Sequence, residues 1–372
     1  MSGSAVDKLH EAQFYRNLAG NEVVCTLCPH DCHIHDGGRG VCAVRFNRGG
    51  KLYTLVYDKV VAREIDPVEK KPFFHFLPGS RAYSVATVGC SLRCSFCQNW
   101  QISQWPKEHL PKSVEAGGRV APTEPVCPHL DVVCKSVAGE HVTPDAIIEA
   151  ALASGCESIA YTYTEPTIFF ELAYDTAVLA RARGLKNIFV TNGFTGEAAL
   201  RKIATVLDAA NVDLKFFKPE SYKHISRARL EPILDAIRLY RELGVWVEVT
   251  TLLIPGVNDS DEELRGIASF VKSVGTEVPW HVSQFYPAYK MLDKPVTPLE
   301  VLRRAADIGR AAGLRYVYEG NVPGEKGENT CCYRCRALLI ERYGSRVRSN
   351  RISNSCCPDC GARIDGIGMS RN

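Results

Sequence analysis

The chain has 372 residues, a length that fits two or three domains or one large α/β barrel with appended segments. Hydrophobic residues make up 45% and charged residues 23%, proportions that exclude the disordered, collagenous and coiled-coil classes. The net charge of +3 is too small to indicate a nucleic acid or a membrane as partner. The unusual feature is the 16 cysteines, which are too few for a small disulfide scaffold and raise the question of what they bind.

Two features bear on the compartment. The amino terminus carries acids and no apolar core, unlike a secretory signal. No uncharged run reaches the roughly 18 residues that a membrane span needs. We therefore expect a cytoplasmic location, with an organellar one as the alternative. In a reducing compartment, clustered cysteines are more often metal ligands than disulfides.

Residues 1–80 form the first predicted segment, which is cysteine-rich. Cys25, Cys28, Cys32 and Cys42 have the spacing C-x2-C-x3-C-x9-C. Four thiolates suit either a tetrahedral zinc ion or a fully ligated iron–sulfur cluster, and the spacing does not separate the two. We predict a zinc site here, with an auxiliary iron–sulfur cluster and the absence of a metal as the alternatives.

A strand predicted at residues 82–88 opens the central domain, residues 81–320, and a loop with three cysteines follows it. Cys90, Cys94 and Cys97 have the spacing C-x3-C-x2-C, which differs from both common ferredoxin patterns. Three cysteines leave one iron of a [4Fe-4S] cluster free for a ligand that is not protein. The plainer interpretations are a zinc site that lacks one ligand, or three buried thiols.

The next segment, residues 106–141, is rich in proline and glycine and has no clear period. We predict a loop insertion. Loops of this length are uncommon inside compact domains and are usually functional or mobile. The insertion contains Cys127 and Cys134, which have no partner spacing of their own.

Beyond the insertion, short strands alternate with amphipathic helices, which is the pattern of βα units around a parallel sheet. After the strand at 82–88, the predicted strands are residues 157–162, 187–191, 211–215, 245–251, 280–285 and 314–318. In such α/β folds the chemistry gathers at the carboxyl ends of the strands. The residues just after each strand are therefore the candidates for a site.

Capping residues mark the predicted helix boundaries. Thr143 and Thr297 each precede a proline at a helix start, and Glu300 completes a predicted capping box with Thr297. Glycines stand where the helices should end. They are Gly155, Gly184, Gly244 and Gly313.

The C-x3-C-x-aromatic-C loop after a first strand resembles the radical S-adenosylmethionine (SAM) superfamily. That resemblance implies a partial (β/α)6 barrel of the TIM type, a [4Fe-4S] cluster on the three cysteines, and SAM on the open iron. It also implies cofactor contacts from side chains that follow later strands, as in the organic-radical-activating branch. These are Thr164, Glu165, Asn192, Asp213 and Lys215.

Each of these cofactor contacts has a plainer interpretation. Glu165 could be a helix-terminal acid before Pro166, and Asn192 a turn former. Asp213 and Lys215 could form a simple ion pair at a strand end.

Nearly the full length resembles one subgroup, the radical enzyme of the AmmeMemoRadiSam system. The resemblance rests on five motifs, residues 25–32, 65–72, 161–166, 210–215 and 321–324. It implies AMMECR-type and MEMO-type proteins as partners, together with an external electron donor. Two features depart from the subgroup pattern, because the insertion at 106–141 is longer than usual and Thr164 stands where asparagine is expected.

Residues 321–372 form the last predicted segment, which resembles a zinc ribbon. Two C-x2-C hooks, Cys332 with Cys335 and Cys357 with Cys360, are spaced like the ligands of a structural zinc ion. Cys331 and Cys356 adjoin the hooks and are alternative ligands. Arginines between the hooks form a predicted basic patch, either a contact for RNA or an acidic partner or an ordinary solvated surface. They are Arg336, Arg342, Arg346, Arg348 and Arg351.

The resemblance to the radical SAM superfamily implies an enzyme that reductively cleaves SAM to methionine and a 5′-deoxyadenosyl radical. We expect this radical to take hydrogen from an unidentified substrate. The first alternative is an activase that installs a glycyl radical on a partner protein. The second is a metal-stabilised RNA- or protein-binding module. His281, in the sixth strand of the central domain, is expected in the core rather than in the cavity.

Overall fold

The computed structural model describes residues 9–109, 137–322, 324 and 326–370, and its central feature is an eight-stranded sheet. Within these residues the strands, numbered in chain order, are β1 (His10–Glu11), β2 (Tyr15–Asn17), β3 (Val23–Cys25), β4 (Cys32–Ile34), β5 (Arg45–Arg48), β6 (Lys51–Thr54), β7 (Lys59–Val60), β8 (Ala62–Pro67), β9 (Arg81–Ala86), β10 (Glu140–His141), β11 (Ser158–Tyr161), β12 (Lys186–Thr191), β13 (Ala209–Asp213), β14 (Trp246–Leu253), β15 (Trp280–Gln284), β16 (Val317–Gly320), β17 (Thr330–Cys331), β18 (Leu338–Tyr343) and β19 (Arg346–Asn350). The order in the large sheet is β16-β15-β14-β13-β12-β11-β9-β8.

Seven strands of this sheet run parallel, and β8 pairs antiparallel with β9 at one edge. Six helices connect the successive parallel strands: Pro144–Ala153, Phe170–Ala182, Glu197–Ala204, Glu231–Glu242, Asp261–Val274 and Leu299–Ala312. Shorter helical segments are Ala19–Asn21, Val68–Lys70, Trp100–Ser103, Trp105–His109, Pro166–Phe169, Pro219–Ser221, Tyr222–Ser226 and Lys326–Glu328. The α/β class and the partial (β/α)6 barrel are therefore confirmed.

All seven predicted strands are present, with ends displaced by at most three residues. The largest displacement is in β16, which begins at Val317 rather than at residue 314. Gly313 ends the preceding helix at φ 102°, and the Leu314 N–H still donates to the Gly309 carbonyl at 3.2 Å. Leu314 therefore belongs to the helix terminus and delays the strand.

The two predicted threonine caps behave differently. Thr143 Oγ1 accepts from the Ala146 N–H at 3.2 Å, so this cap is confirmed. The capping box at Thr297 is wrong, because the hydroxyl accepts from the Phe285 N–H at 2.9 Å and donates to the Leu253 carbonyl at 2.5 Å. Thr297 is buried between two strand ends. Its hydroxyl bonds the backbone groups there because unpaired backbone groups are costly when buried.

A buried carboxylate organises the interior of the barrel. Glu248, in β14, accepts from the backbone N–H groups of Phe74 at 3.0 Å and His75 at 2.8 Å. It also accepts from Trp246 Nε1 at 3.2 Å, and its Oε2 lies 2.7 Å from His281 Nε2. His281 is 2% exposed, which confirms it as a core histidine.

The amino-terminal segment packs at the carboxyl ends of the barrel strands. The Gly196 N–H, beyond the end of β12, donates to the Leu27 carbonyl at 2.9 Å. His30 Nε2 lies 2.8 Å from the carbonyl oxygen of Ser91, beyond the end of β9. These contacts place the first cysteine group beside the end of the barrel where chemistry is expected.

The carboxy-terminal segment packs at the opposite end, where the strands begin. Asp365 Oδ2 accepts from Arg315 Nη1 and from the Tyr316 hydroxyl, both at 2.9 Å and both just before β16. His75 Nδ1 lies 2.6 Å from the Asp365 carbonyl. The last cysteine group is therefore remote in sequence and in space from the loop of Cys90.

Residues 110–136 of the predicted insertion lie outside the described residues, as do Cys127 and Cys134. The described ends of the insertion are regular structure, since the helix Trp105–His109 begins it and β10 pairs with β7 near its end. No helix in the described ranges has the length and apolar character needed to cross a membrane.

Candidate active site

The three predicted cluster ligands lie on one loop that follows β9. Cys94 is buried, and Cys90 and Cys97 are half-buried. The loop is fixed from outside, because the Arg93 N–H donates to the Ser226 carbonyl at 3.0 Å. Burial raises the pKa of the Cys90 thiol to about 12, and the charge of Lys107 acts in the opposite direction.

Polar side chains meet the sulfur atoms of this loop. Cys94 Sγ donates to Ser226 Oγ at 3.2 Å, and Asn192 Nδ2 donates to Cys90 Sγ at 3.6 Å. Asn192 also donates to Ser91 Oγ at 3.2 Å. Hydrogen bonds to sulfur orient and tune the ligands of an iron–sulfur cluster.

Lys107 brings positive charge to the same place. Its ammonium donates to the Leu92 carbonyl and, at 3.2 Å, to Gln104 Oε1. Burial lowers the pKa of Lys107, and the negative charge of a thiolate at Cys90 opposes that shift. A cation held beside the loop favours the thiolate form that a cluster needs.

A cavity of ≈ 320 Å³ opens beside this loop, at the carboxyl ends of the strands. Its size is within the range of small-molecule sites. All eight residues predicted for the first cluster and for SAM line it: Cys90, Cys94, Cys97, Thr164, Glu165, Asn192, Asp213 and Lys215. The structure thus brings together residues from four different strand ends.

Glu165 is 1% exposed, and its carboxylate accepts four hydrogen bonds. Oε1 accepts from the Thr167 N–H and hydroxyl and from the Thr191 hydroxyl, at 3.0, 2.7 and 2.7 Å. Oε2 accepts from the Asn192 N–H at 2.7 Å. Burial raises the pKa of Glu165, and these donors act in the opposite direction.

These hydrogen bonds are compatible with both interpretations of Glu165, a helix-terminal acid and a contact for SAM. Through Thr167 it caps the helix Pro166–Phe169, as a helix-terminal acid would. Oε2 has one donor from the described residues and therefore keeps acceptor capacity in the cavity wall.

Thr164 stands in the cavity wall where the subgroup pattern has asparagine. Its Oγ1 donates to the Thr87 carbonyl at 2.8 Å. The hydroxyl proton is thus committed to the end of β9, and the oxygen remains as an acceptor.

Asp213 and Lys215 form an ion pair at the cavity, with Nζ 2.6 Å from Oδ2. Burial disfavours the charge on Lys215, but Asp213 outweighs burial and raises the pKa of Lys215. The ion-pair interpretation therefore holds together with a position in the cavity wall.

Two residues of the cavity wall, Lys71 and Tyr163, were missed by the sequence analysis, and both contact Asp66. Asp66 Oδ2 accepts from Lys71 Nζ at 2.6 Å, from the Tyr163 hydroxyl at 2.5 Å and from Ser84 Oγ at 2.9 Å. Burial lowers the pKa of Lys71 to about 8, against the pull of Asp66. The motif at 65–72 was a signal, but β8 is antiparallel and lies outside the βα rhythm, so no role was assigned to it.

The four amino-terminal thiols are buried and gather around a hairpin. β3 and β4 place Cys25 opposite Cys32, and Cys28 lies between them. Within the described chain, the sets of ligand atoms that lie within 4.8 Å of one another do not include these thiols.

The carboxy-terminal hooks do form such a set. Cys332 Sγ lies 3.7 Å from Cys360 Sγ, and Cys335 Sγ lies 3.6 Å from Cys357 Sγ. Tetrahedral zinc with Zn–S bonds of about 2.3 Å requires S···S separations of about 3.8 Å, so these thiols fit one zinc ion. Cys331 and Cys356, the alternative ligands, lie outside the set.

Arg342 does not belong to the predicted basic patch, and its placement on the surface is wrong. It is 3% exposed, with Nε 3.4 Å from Glu69 Oε1 and the guanidinium 4.3 Å from the centre of the Phe74 ring. A buried carboxylate needs a partner charge, and Arg342 provides it. The other arginines of the patch are exposed.

Comparison with known proteins identifies the family. Residues 84–268 match the model of the radical SAM superfamily. An uncharacterized protein of Methanocaldococcus jannaschii is 42% identical over 360 residues, covering 96% of this chain and 99% of the relative.

Two enzymes are more distant relatives. GTP 3′,8-cyclase of Limosilactobacillus fermentum is 25% identical, covering 74% of this chain and 72% of the relative. Pyruvate formate-lyase-activating enzyme of Streptococcus mutans is 23% identical, covering 53% and 68%. Together with the fold and the cysteine loop, these findings show that the chain belongs to the radical SAM superfamily and is an enzyme whose cofactors are a [4Fe-4S] cluster and S-adenosylmethionine.

Proposed function

We propose that this enzyme binds SAM in the ≈ 320 Å³ cavity, on a cluster held by Cys90, Cys94 and Cys97, and carries out a radical reaction on a small-molecule substrate. The observation that carries the proposal is the convergence of three thiols and five polar side chains on one cavity. Its volume is in the range of small-molecule and cofactor sites.

The residues present fit these cofactors. Three thiolates would leave one iron for the amino and carboxylate groups of SAM, and the bound cofactors supply one-electron cleavage of the sulfonium and hydrogen abstraction. Oε2 of Glu165 is placed to accept from the ammonium of SAM, and Asn192 fixes the orientation of Cys90. Apolar walls, which include Leu92 and Leu252, exclude water from the site.

The test is cleavage of SAM by the anaerobically reconstituted enzyme. With a strong reductant we expect release of 5′-deoxyadenosine and methionine in equal amounts, even without substrate. Reactions without reductant provide the control. Reconstituted protein that binds iron and sulfide yet releases no 5′-deoxyadenosine would contradict the proposal.

A glycyl-radical activase is the second candidate. The similarity to the pyruvate formate-lyase-activating enzyme of Streptococcus mutans favours it. An activase would leave a persistent glycyl radical on a partner protein, visible by electron paramagnetic resonance (EPR). Deuterium transfer from a small molecule into 5′-deoxyadenosine would instead support the first candidate.

For the partners, we propose an external one-electron donor and, from the motifs of the AmmeMemoRadiSam subgroup, AMMECR-type and MEMO-type proteins in the cytoplasm. The support is the sequence pattern at 25–32 and 65–72. Co-purification of the full chain with each candidate, at physiological salt, tests this assignment.

At the far end of the barrel, we propose that Cys332, Cys335, Cys357 and Cys360 bind a structural zinc ion. Their S···S distances of 3.6 and 3.7 Å support a tetrahedral ion. We do not propose an RNA-binding module, because the buried Arg342 removes the middle of the basic patch. We expect metal analysis of the purified enzyme to give about one zinc per chain.

A further inference from the structure

We propose that Cys25, Cys28, Cys32 and Cys42 bind a second [4Fe-4S] cluster, which passes electrons to the cluster at Cys90, Cys94 and Cys97. The sequence left zinc and an iron–sulfur cluster open at this site, and the geometry favours the cluster. The part of the proposal that concerns electron transfer rests on the function proposed above.

The first step is that the four thiols form one buried site. Cys25 and Cys32 are opposite residues of the β3–β4 hairpin, and Cys28 begins its turn, where its carbonyl accepts from the Asp31 N–H at 3.2 Å. Cys42 comes from the next loop. All four are between 5 and 8% exposed. Four cysteines buried in one place are far more than a core needs.

The second step is the size of the site. One zinc ion needs all its sulfur ligands about 3.8 Å apart, and the carboxy-terminal thiols meet that spacing while the amino-terminal ones do not reach 4.8 Å as a set. A cubane carries one thiolate on each of its four irons and therefore needs a wider ring of sulfurs. The cysteine loop at Cys90, where the family places a cubane, is likewise wider than 4.8 Å.

The amino-terminal cysteines are nevertheless near neighbours. Cys25 and Cys32 are directly opposite on paired strands. A Cβ at Gly40, two residues before Cys42, would lie 3.5 Å from Cys32 Sγ. The four cysteines therefore belong to one site, although their sulfurs do not form a set within 4.8 Å.

The third step is that the site already has features of cluster sites. The backbone N–H of Val41 donates to Cys32 Sγ at 3.4 Å. A side chain at Gly40 would place its Cβ 3.5 Å from the same sulfur, so the backbone lies closely against the thiol. Hydrogen bonds from the backbone to cysteine sulfur tune iron–sulfur clusters.

The fourth step is contact between the two ligand loops. His30 lies between Cys28 and Cys32, and its Nε2 is 2.8 Å from the carbonyl of Ser91, the neighbour of Cys90. Gly89, on the other side of Cys90, would bring a Cβ to 3.3 Å from the Cys42 carbonyl oxygen. Protein atoms in direct contact thus join the two sites.

Four protein ligands leave no iron open, so this cluster has no position for a substrate or for SAM. Its chemistry is electron transfer. It takes one electron from a low-potential iron–sulfur or flavin protein and gives that electron to the first cluster. It then returns to its oxidised state, with no bond made or broken.

The test isolates the second site by removing the first. The variant Cys90→Ala/Cys94→Ala/Cys97→Ala is reconstituted anaerobically with ferrous iron and sulfide, and its metal content is measured with Mössbauer spectroscopy of the iron. We expect about four iron and four sulfide per chain in this variant, about eight of each in the wild type, and about one zinc in both. The matched variant Cys25→Ser/Cys28→Ser/Cys32→Ser/Cys42→Ser should also keep about four iron.

The proposal is overturned if the triple variant holds no iron, whether the second site then contains zinc or no metal. Should the triple variant fail to fold, the wild type decides the question alone, because about four rather than eight iron per chain would refute a second cluster. The result is independent of turnover, so absence of SAM cleavage would damage the proposed function and leave the iron count to stand by itself.

A second measurement addresses the contact between the sites. In wild-type protein with both clusters reduced, their spins should couple and broaden the EPR spectrum, and each single-site variant should give a sharper signal. Unbroadened, additive spectra would show that the clusters are too far apart for the proposed transfer.

Discussion

The two cysteine-rich ends of the chain pack at opposite ends of one barrel and differ in how closely their thiols approach. At the carboxy terminus four thiols lie within 4.8 Å of one another, beside the residues that begin β16. At the amino terminus four buried thiols do not form such a set, and the segment that carries them contacts the loop of Cys90 through His30. In barrels of this type one end carries chemistry and the other stability.

The comparison teaches that cysteine count and C-x2-C spacing do not distinguish the proposed structural site from the proposed redox site. What separates them is the distance between the sulfurs and the identity of the neighbours. Both groups pack in apolar clusters, Cys332 with Phe74 and Leu339, but only the amino-terminal segment contacts the cavity loop, through His30 and Ser91. Changes at the two ends should therefore affect different observables.

Loss of a first-cluster ligand should have the largest effect. We expect Cys94→Ser to reduce SAM cleavage to the background rate, because the buried thiol is a proposed ligand beside the cavity. The release of 5′-deoxyadenosine measures this. The matched control is Cys156→Ser, a buried thiol outside the cavity, which should keep cleavage. Equal loss in both variants would indicate misfolding and not ligand loss.

Removing a zinc ligand should act on stability. Cys357 is 1% exposed, and we expect Cys357→Ser to lose zinc and to destabilise the chain by more than about 4 kcal/mol. The neighbouring Cys356→Ser should retain zinc and change stability by less than about 0.5 kcal/mol. Denaturant unfolding and zinc analysis of both variants give the answer, and a reversed pattern would reassign the ligand.

The next largest effect is expected from breaking the buried ion pair between Arg342, in the carboxy-terminal segment, and Glu69. Arg342→Met leaves Glu69 charged and buried without its partner, which should cost about 3–5 kcal/mol. The exposed Arg348→Met provides the comparison and should be nearly neutral. Thermal unfolding of the two variants measures the difference. Similar melting temperatures would show that Glu69 finds another partner.

Acid should lower the free energy of unfolding through His75, which contacts the carboxy-terminal segment at Asp365. Burial lowers the pKa of His75 to about 4, against the pull of Glu248, while an unfolded histidine titrates near about 6.5. The unfolded chain binds more protons between these values, so stability is complete above about pH 6.5 and decreases by about 3 kcal/mol toward pH 4. In His75→Gln the slope of unfolding free energy against pH should flatten, and in the exposed control His224→Asn it should persist.

The smallest effect is expected from a positioning residue, Asn192, in the cavity at the carboxyl ends of the strands. Asn192→Ala removes the hydrogen bond to Cys90 Sγ and should lower SAM cleavage by about 10–100-fold, the usual effect of losing a group that orients a metal ligand. Iron content should remain unchanged, and the EPR signal of the first cluster should shift. Unaltered EPR with reduced cleavage would place the effect on SAM and not on the cluster.

Much of this architecture could be predicted from sequence, because the periodic signals are local. All seven parallel strands and the helix-ending glycines were predicted, and Gly184 and Gly313 have the positive φ expected of helix ends. The residues of the cavity could be predicted because the carboxyl ends of parallel strands lie at the same end of the barrel. Thr297 and Arg342 were misjudged because their partners, Phe285 and Glu69, are set by tertiary packing.

The group of Asp66, Lys71 and Tyr163, of which Lys71 and Tyr163 line the cavity, shows a different limit of sequence reasoning. Its members come from β8, the turn after it and the loop after β11, and nothing in their spacing joins them. The grouping of the amino-terminal cysteines also depends on tertiary packing, since Cys25 lies in β3 and Cys42 in the loop before β5.

EPR spectroscopy of the reduced wild-type enzyme, recorded with and without SAM, tests the central claim most directly. The account predicts two cluster signals, of which the one lost in Cys90→Ala/Cys94→Ala/Cys97→Ala changes when SAM is added, because SAM binds its open iron. The other signal should be insensitive to SAM, since all four of its irons have cysteine ligands. A spectrum that SAM leaves entirely unchanged would contradict the assignment of an open iron at the cavity.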